Sequence, residues 1–282
     1  MKPTMIIDCH AICHAVKHTI GDLSYSEQKV GIVFGFLRKM LSISKTFDTP
    51  NFIFCWDSKK NKRKEIYPSY KTRSPISQED YTFEKFAYKQ FNELRMYTIP
   101  KFGFKNSFIQ TGLEADDIMA IISLTYDMEF VIVSGDKDLY QLLAPNVRMF
   151  SPKTKEVLTK ELFTIQWGIE PKQWAMVKQI AGCTSDTVGG IDNVGDKTAA
   201  KYLTGKLGNH TKAYNNIVNG VEIIERNEAL VKLPFEGTQC PDFAVDEIFY
   251  VEDFIEILDK YDFRSFKQSK VLNEWITNFN MK

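Results

Sequence analysis

The chain has 282 residues, 44% hydrophobic and 13% aromatic, with 36 basic residues against 36 acidic ones. That apolar content suffices for one large domain or a core with a smaller appendage, and the zero net charge advertises no nucleic-acid partner. Five scattered cysteines fit a reducing compartment better than a disulfide framework. No apolar run approaches the ~20 residues that span a bilayer. The N-terminus enters a strand almost at once, which is read as leaving no room for a signal peptide, so a soluble cytoplasmic protein is expected.

In chain order, Met5–Ile7 reads as a strand leading into Asp8. Apolar residues at Ile32, Phe36, Leu37, Met40 and Leu41 share one face and predict a helix over Val30–Ile43. A second strand, Asn51–Trp56, leads into Asp57. Residues 58–106 are rich in Lys, Arg, Tyr and Phe and broken by Pro68, Pro75 and Pro100, which reads as a partly helical insertion at the sheet edge. Further strands are expected at Ser107–Gln110, Phe130–Ser134 and Val147–Phe150, with a helix over Leu113–Leu124 carrying Glu114 to Asp117 in its first turn. Negative charge suits that end of a helix dipole. Strands alternating with helices predict an α/β fold with a mostly parallel central sheet flanked by helices. Beyond residue 160 strand signals fade. Helices Gln173–Ala181 and Lys197–Leu203 flank a glycine-dense stretch, and Val251–Tyr261 has helical spacing.

The chemistry concentrates in acidic residues. Nothing around Glu114-Ala-Asp116-Asp117 and Gly135-Asp136-Lys-Asp138 is expected to neutralise their five carboxylates, and Asp8 and Asp57 stand at strand exits. Ligands bind at strand ends in open α/β sheets. Oxygen-rich sites suit Mg²⁺ or Mn²⁺. The spacing therefore predicts carboxylates held together by divalent cations. Charge is also segregated locally: Lys59 to Arg73 carries seven basic residues and one acid, Glu65. Interleaved with Tyr67 and Tyr70, this segment suits phosphate contact and base stacking on single-stranded nucleic acid. The stretch Gly189-Gly190-Ile-Asp-Asn-Val-Gly195-Asp-Lys197-Thr198-Ala199 lies between two helices, where backbone N–H groups can meet a duplex backbone. Cys9, His10, Cys13, His14 and His18 have i, i+4 spacings that suit zinc, but all five fall in one helix, which rarely supplies a tetrahedral set.

These motifs resemble the flap-endonuclease family of 5′ nucleases, which includes bacteriophage 5′–3′ exonucleases and the 5′-nuclease domain of bacterial DNA polymerase I. Glu114-Ala-Asp-Asp-Ile resembles the family's E-A-D-D-I, and Gly135-Asp-Lys-Asp-Leu-Tyr-Gln-Leu its G-D-K-D-L-x-Q-L. Arg63-Lys-Glu-Ile-Tyr-Pro-Ser-Tyr-Lys71 is similar to R-x-E-x-Y-P-x-Y-K. Gly168-Ile-Glu-Pro-Lys-Gln, and Ser185-Asp186 through Lys197-Thr-Ala199, resemble the approach to the family's helix–three-turn–helix. The likeness runs in order from Asp8 to about Phe266.

The resemblance implies a PIN-like α/β nuclease core over residues 1–165, with an arch at 58–106. It implies a helical DNA-binding region over 166–282, with the helix–three-turn–helix at about 175–205. Two Mg²⁺ or Mn²⁺ ions are implied, with K⁺ in the turn motif. Asp8, Asp57, Glu114 and Asp116 are expected at one metal with Asp117 close by, and Asp136, Asp138 and Asp186 at the other. Lys71 is the expected catalytic lysine, with Asp116, Asp136 and Asp138 as catalytic carboxylates. Arg63, Lys64, Tyr70, Lys71, Arg73, Gly190, Gly195, Lys197 and Thr198 are expected to contact DNA. The implied activity is structure-specific hydrolysis of phosphodiesters near 5′ single-strand/duplex junctions, as 5′–3′ exonuclease, flap endonuclease and RNase H, in primer removal, replication and repair. The expected partners are branched or nicked DNA, RNA–DNA hybrids, and a single-strand-binding protein or polymerase. A monomer with no membrane association is expected, in the host cytoplasm if the chain is a phage protein.

Departures from the family pattern carry their own expectations. Cys183 stands where the family has a carboxylate, and a thiol is a poor Mg²⁺ ligand. The second metal site is therefore expected to be weaker and more dependent on Mn²⁺. Asn193 replaces a turn glycine and should take a left-handed conformation. Ser74 stands in place of the arch arginine, with Arg73 as its substitute, and Ala15 replaces another arginine. The weakened site motivates an alternative reading, a non-catalytic structure-specific DNA-binding protein.

Overall fold

The computed structural model describes residues 2–21, 23–25, 28–72, 77–244 and 246–282. In chain order, strand β1 (Thr4–Asp8) feeds helix α1 (Cys9–Ile20), a short hairpin β2 (Ser24–Tyr25) and β3 (Gln28–Lys29), helix α2 (Gly31–Phe47) and strand β4 (Phe52–Trp56). The basic segment forms α3 (Arg63–Ile66). Helix α4 (Gln78–Glu93) then runs through a π-helical turn at Leu94–Thr98 into α5 (Ile99–Phe102). Strand β5 (Ser107–Ile109), helix α6 (Ala115–Thr125), strand β6 (Phe130–Val133), a 3₁₀ turn at Lys137–Leu142, and strands β7 (Val147–Phe150) and β8 (Val157–Leu158) follow. The rest is α7 (Lys160–Trp167), α8 (Trp174–Ala181), two-residue strands β9 (Gly182–Cys183) and β10 (Val188–Gly189), then α9 (Asp196–Leu203), α10 (Lys212–Asn219), α11 (Val221–Val231), α12 (Val251–Lys260) and α13 (Ser269–Phe279).

The chain divides into two compact units: Met1–Trp56, Pro75–Phe108 and Pro241–Lys282 form the first, Asp57–Ser74 and Ile109–Cys240 the second. In the first unit β1 and β4 pair in parallel, Met5 opposite Phe52 and Asp8 opposite Cys55. Every residue of both strands is buried, as a parallel sheet covered on both faces requires. Helices α1, α2 and α4 pack against one another. Phe102, Phe104, Phe254, Trp275 and Phe279 join the two C-terminal helices to this unit, with ring centroids such as 5.0 Å for Phe102–Phe104 and 4.8 Å for Phe254–Trp275.

The second unit pairs β6 and β7 in parallel, Phe130 opposite Val147, with β8 antiparallel to β7. Helix α8 is its hub, packed on α9 and α11. Trp174 carries this packing, lying 4.6 Å from Trp167 and 5.4 Å from Tyr140 between ring centroids. The mostly parallel sheet flanked by helices, expected from the alternating pattern, is what forms, and strand and helix bounds shift by only a few residues. No helix among the described residues is long and apolar enough to cross a membrane.

Candidate active site

Nearly all the expected site residues belong to the second unit, and local rules place them. Asp57 follows the last residue of β4, and its carboxylate accepts the Ala115 amide at 2.8 Å, at the first residue of α6. Glu114 is the N-cap of α6, and Asp116 and Asp117 lie in the first turn. A reciprocal capping box joins Glu114 and Asp117, so two of the orphan amides of the helix start are satisfied. Asp136 follows β6 after Ser134 and Gly135 and caps the 3₁₀ turn, accepting the Asp138 amide at 2.8 Å. Asp186 ends the loop after β9.

Two basic or phenolic groups draw these distant carboxylates together. Tyr70 places its hydroxyl 2.8 Å from Glu114 Oε2 and 3.1 Å from Asp186 Oδ2. It has one proton, so it donates to one of them at a time. Burial, then the charges of Glu114 and Asp186, push the phenol far above its ordinary range, so it stays protonated. Lys71 hydrogen-bonds Glu114 through its ammonium group and lies 3.7 Å from Asp186. Burial works against its charge, but Glu114 and Asp186 outweigh that and hold Lys71 protonated above the usual lysine range. Its backbone is left-handed, φ +49°, and its amide donates to the Asp186 carbonyl at 2.8 Å. A lysine in that conformation needs surroundings that over-determine it, and this amide contact supplies part of them.

The expectation that nothing near the acidic clusters neutralises them is corrected by the structure. Arg63, Lys71 and Lys178 interleave with the carboxylates, because burying like charges without counterions is prohibitive. Arg63 is 1% exposed and grips Asp117 bidentately, both contacts at 2.7 Å. Its third nitrogen donates to the Leu230 carbonyl at 2.9 Å, and its guanidinium lies 5.0 Å from the Phe235 ring.

Asp117, expected beside a metal, is 0% exposed and also accepts the amides of Glu114 at 3.0 Å and Phe235 at 2.8 Å. Both its oxygens are saturated by donors, so it braces the helix start instead of offering a ligand atom. Arg63 and Tyr70, expected as DNA contacts, are buried among these carboxylates. Their side chains shape the site from behind, since a buried group cannot meet a phosphate backbone directly.

The second acidic group is tighter. One ligand atom each from Asp138, Cys183 and Asp186 lies within 4.8 Å of the others. Burial, then the charge of Asp136, raises the Asp138 carboxyl to about 6, and Lys178 works against the rise. Burial, then Asp138 and Asp186, push the Cys183 thiol up to about 12. Burial also raises Asp186. Such a set of mutually destabilised acids is what a cation would relieve. The carboxylates fit a divalent ion, and the thiol is the one donor in the set that does not suit a hard one.

Lys178 was missed by the sequence reading. Its ammonium lies 3.5 Å from Asp138 and 3.6 Å from Asp196, the first residue of α9. The available signal was its place on α8: it follows Trp174 and Val177 at i+4 and i+1, inside an apolar stripe where a solvated lysine does not belong. Arg226, also missed, donates to the Gly189 carbonyl at 2.6 Å and stacks over Tyr67 at 5.1 Å.

Asn193 takes the left-handed conformation expected of it, φ +62°. Gly190 could not carry a side chain, since a Cβ would fall 2.2 Å from Ala181. Lys64, Lys197 and Gly195 are exposed and Thr198 half-buried. Arg73 and Ser74 lie outside the described residues.

In the first unit, Asp8 is 7% exposed and caps α1 by accepting the Ala11 amide at 2.9 Å. The Cys9–His18 series does fall on one helix: Cys9 and Cys13 are buried, and His10 and His14 pack edge-on against Phe91.

Residues 3–168 match the model of the 5′-3′ exonuclease N-terminal resolvase-like domain. A 5′-3′ exonuclease of Buchnera aphidicola (subsp. Schizaphis graminum) is 30% identical over 247 residues, 84% of this chain and 78% of that protein. The thermostable DNA polymerase I of Thermus aquaticus is 28% identical over 204 residues, 71% of this chain and 23% of the polymerase. Among solved structures, T5 5′-exonuclease with bound zinc superposes with a TM-score of 0.68 at 21% identity, covering 82% of this chain and 90% of that one. Flap endonuclease-1 from Methanococcus jannaschii superposes at 0.61 with 16% identity, covering 99% and 93%; at these identities the likeness is one of fold. The acidic motifs, the sheet that carries them and the match over residues 3–168 agree, and the chain belongs to the 5′-3′ exonuclease family.

Proposed function

We propose that the chain is a metal-dependent 5′ nuclease that hydrolyses phosphodiesters near junctions of a 5′ single strand with duplex. The observation that carries this is the joining of the first acidic motif to a distant aspartate through Tyr70 and Lys71: Glu114 and Asp186, 72 positions apart, share one phenol and one ammonium. A merely solvated set of carboxylates would not converge on buried donors.

Bound Mg²⁺ or Mn²⁺ ions would lower the pKa of the attacking water and stabilise the leaving oxygen. Asp57, Glu114 and Asp116, with Asp8 from β1, are proposed to hold one ion, and Asp136, Asp138 and Asp186 the other. Lys71 is about one-third exposed beside Glu114 and Asp186, so its ammonium is proposed to meet a phosphate from there and add electrostatic stabilisation. Arg63 and Asp117 act one layer further back, fixing the first turn of α6 and thereby the Glu114 carboxylate. Tyr70 orients Glu114 and Asp186.

Further parts of the proposal follow the family. The segment 58–106 serves as an arch over single-stranded substrate, with Lys64 and Arg73 contributing charge. Residues 166–282 bind duplex, through a helix–three-turn–helix at about 175–205 that presents Gly190, Gly195, Lys197 and Thr198 and takes K⁺. Two-metal catalysis, RNase H action on RNA–DNA hybrids, primer removal in replication and repair, and a single-strand-binding or polymerase partner belong to the same reading, as does a phage or bacterial cytoplasmic setting. The test is cleavage of 5′-labelled flap, nicked and hybrid substrates in Mg²⁺, Mn²⁺ and EDTA. Cutting that requires the metal supports the enzyme. Equal flap binding in EDTA with no cleavage in either metal supports the non-catalytic binder instead.

A further inference from the structure

We infer that the Cys183 thiol is itself a metal ligand and tilts the Asp138–Asp186 site toward thiophilic or borderline divalent cations, Zn²⁺ and Cd²⁺, over Mg²⁺. This rests on the nuclease reading for the presence of a metal, but the identity of the donor follows from this chain's own geometry.

The Cys183 sulfur and a carboxylate oxygen from each of Asp138 and Asp186 lie within 4.8 Å of one another. Zinc–ligand distances of 2.0–2.3 Å set tetrahedral donors about 3.5 Å apart. A shift of about an ångström per side chain therefore closes the three around one ion, leaving a position open for water or phosphate. The backbone that carries the thiol is held in place. Cys183 pairs with Val188 in the β9–β10 ladder. The preceding Gly182 has φ +74°, and a Cβ there would lie 2.4 Å from the Val188 carbonyl and 2.5 Å from the Gly190 amide. Cys183 is 5% exposed, in a buried cluster with Tyr70, Val188, Leu230 and Val231. The sulfur thus sits between an apolar side and an acidic side, within hydrogen-bond distance of the Ser185 hydroxyl at 3.0 Å, a contact that ligation would replace.

The donor chemistry then decides the preference. Mg²⁺ takes oxygen ligands, keeps several waters and does not reward a sulfur. Thiolate selects Zn²⁺ and softer ions. Ligation replaces the S–H bond by a sulfur–metal bond and releases the thiol proton to solvent, so a metal strong enough to displace that proton gains an anionic ligand that Mg²⁺ forgoes. Lys178, 3.5 Å from Asp138, offsets one negative charge and lowers the pull on every divalent cation alike, so the donor atoms are left to set the preference.

The experiment titrates the metal-free 282-residue chain with Cd²⁺ and follows the near-ultraviolet sulfur-to-metal charge-transfer band, beside calorimetric titrations with Zn²⁺ and Mg²⁺. Wild type and Cys240→Ser should develop the band, saturating at one ion per chain. Cys183→Ser and Cys183→Asp should not, and C183D carries the test if C183S fails to fold. In C183D the ratio of Zn²⁺ to Mg²⁺ affinity should fall about tenfold or more. A band of undiminished intensity in C183S, no band in wild type, or an unchanged Zn²⁺:Mg²⁺ ratio in C183D overturns the assignment. The two readings separate cleanly. A wild-type thiolate band without cleavage of any flap substrate would count against the nuclease and not against the ligand. Metal-dependent cleavage with no band would do the reverse.

Discussion

Removing Arg63 should unfold the site from behind. The guanidinium is 1% exposed and makes two 2.7 Å contacts with Asp117, which is itself 0% exposed, plus one to the Leu230 carbonyl. In Arg63→Ala the Asp117 carboxylate stays buried with only the Glu114 and Phe235 amides as donors. Breaking one side of a buried pair costs about 3–5 kcal/mol, mostly from the stranded charge. At roughly 2–4 °C per kcal/mol for a chain of this size, the melting temperature should fall by roughly 6–20 °C. Arg63→Lys should recover less than half of the loss, since a point charge cannot replace two parallel contacts and a third donor. The decisive variant is R63M/D117L, which removes both charges but strands the Glu114 and Phe235 amides and the Leu230 carbonyl; it should stay below wild type yet lose less than the sum of R63M and D117L. Urea and thermal unfolding of the metal-free chains measures these four together with the single variants R63M and D117L. A loss below about 1 kcal/mol in R63A, or a double variant as unstable as the sum of the singles, would refute the reasoning.

Other predictions follow from separate contacts. Lys71→Ala should lower the cleavage rate constant about 10²–10³-fold, as loss of one transition-state donor does elsewhere, with flap affinity by fluorescence anisotropy changed less than the rate. Gly182→Ala must place a Cβ 2.4 Å from the Val188 carbonyl at φ +74°; it should cost well over ~1 kcal/mol in urea unfolding. Trp275→Ala empties a fully buried site between Phe254 and Phe279 and should cost about 3–5 kcal/mol, read by the same unfolding assay. Glu93 is partly buried, which raises its carboxyl, but hydrogen bonds from Lys260 and Tyr261 outweigh that and hold it below its ordinary value. A depressed carboxyl contributes stability above its unfolded pKa and loses it as pH falls through the folded one. Wild type should therefore exceed Glu93→Gln in stability at pH 7, with the gap closing below about pH 4 in melts across that range.

Much of this was legible because short-range chemistry wrote it. Phe130–Val133 reads as a buried strand and is one, since a run of four apolar, mostly β-branched residues has few alternatives. The acidic run Glu114 to Asp117 after a strand placed the start of α6 within two residues, although Glu114 proves to be the N-cap and not part of the first turn. What the sequence hid was long-range pairing. Nothing local to Asp117 tells that Arg63, 54 positions earlier, would saturate it, or that the Phe235 amide would complete the set from 118 positions later. The same distance hid Lys178 beside Asp138, although a lysine inside the Trp174–Val177 stripe was a visible anomaly. The acidic motifs read alone suggested bare charge awaiting cations, and only tertiary structure supplied the three internal counterions.

Asp138 and Asp186, the latter joined to Glu114 through Tyr70 and Lys71, are proposed as the metal-dependent cleavage centre. The most direct measurement is product formation from a 5′-labelled flap by wild type and Asp186→Asn at saturating Mn²⁺, with folding of both verified by circular dichroism. Wild type should cut near the junction, and D186N, still folded, should lose about 10³-fold or more of the rate. A D186N variant that cuts at the wild-type rate, or a wild type that leaves the flap intact in Mn²⁺, would contradict the proposal.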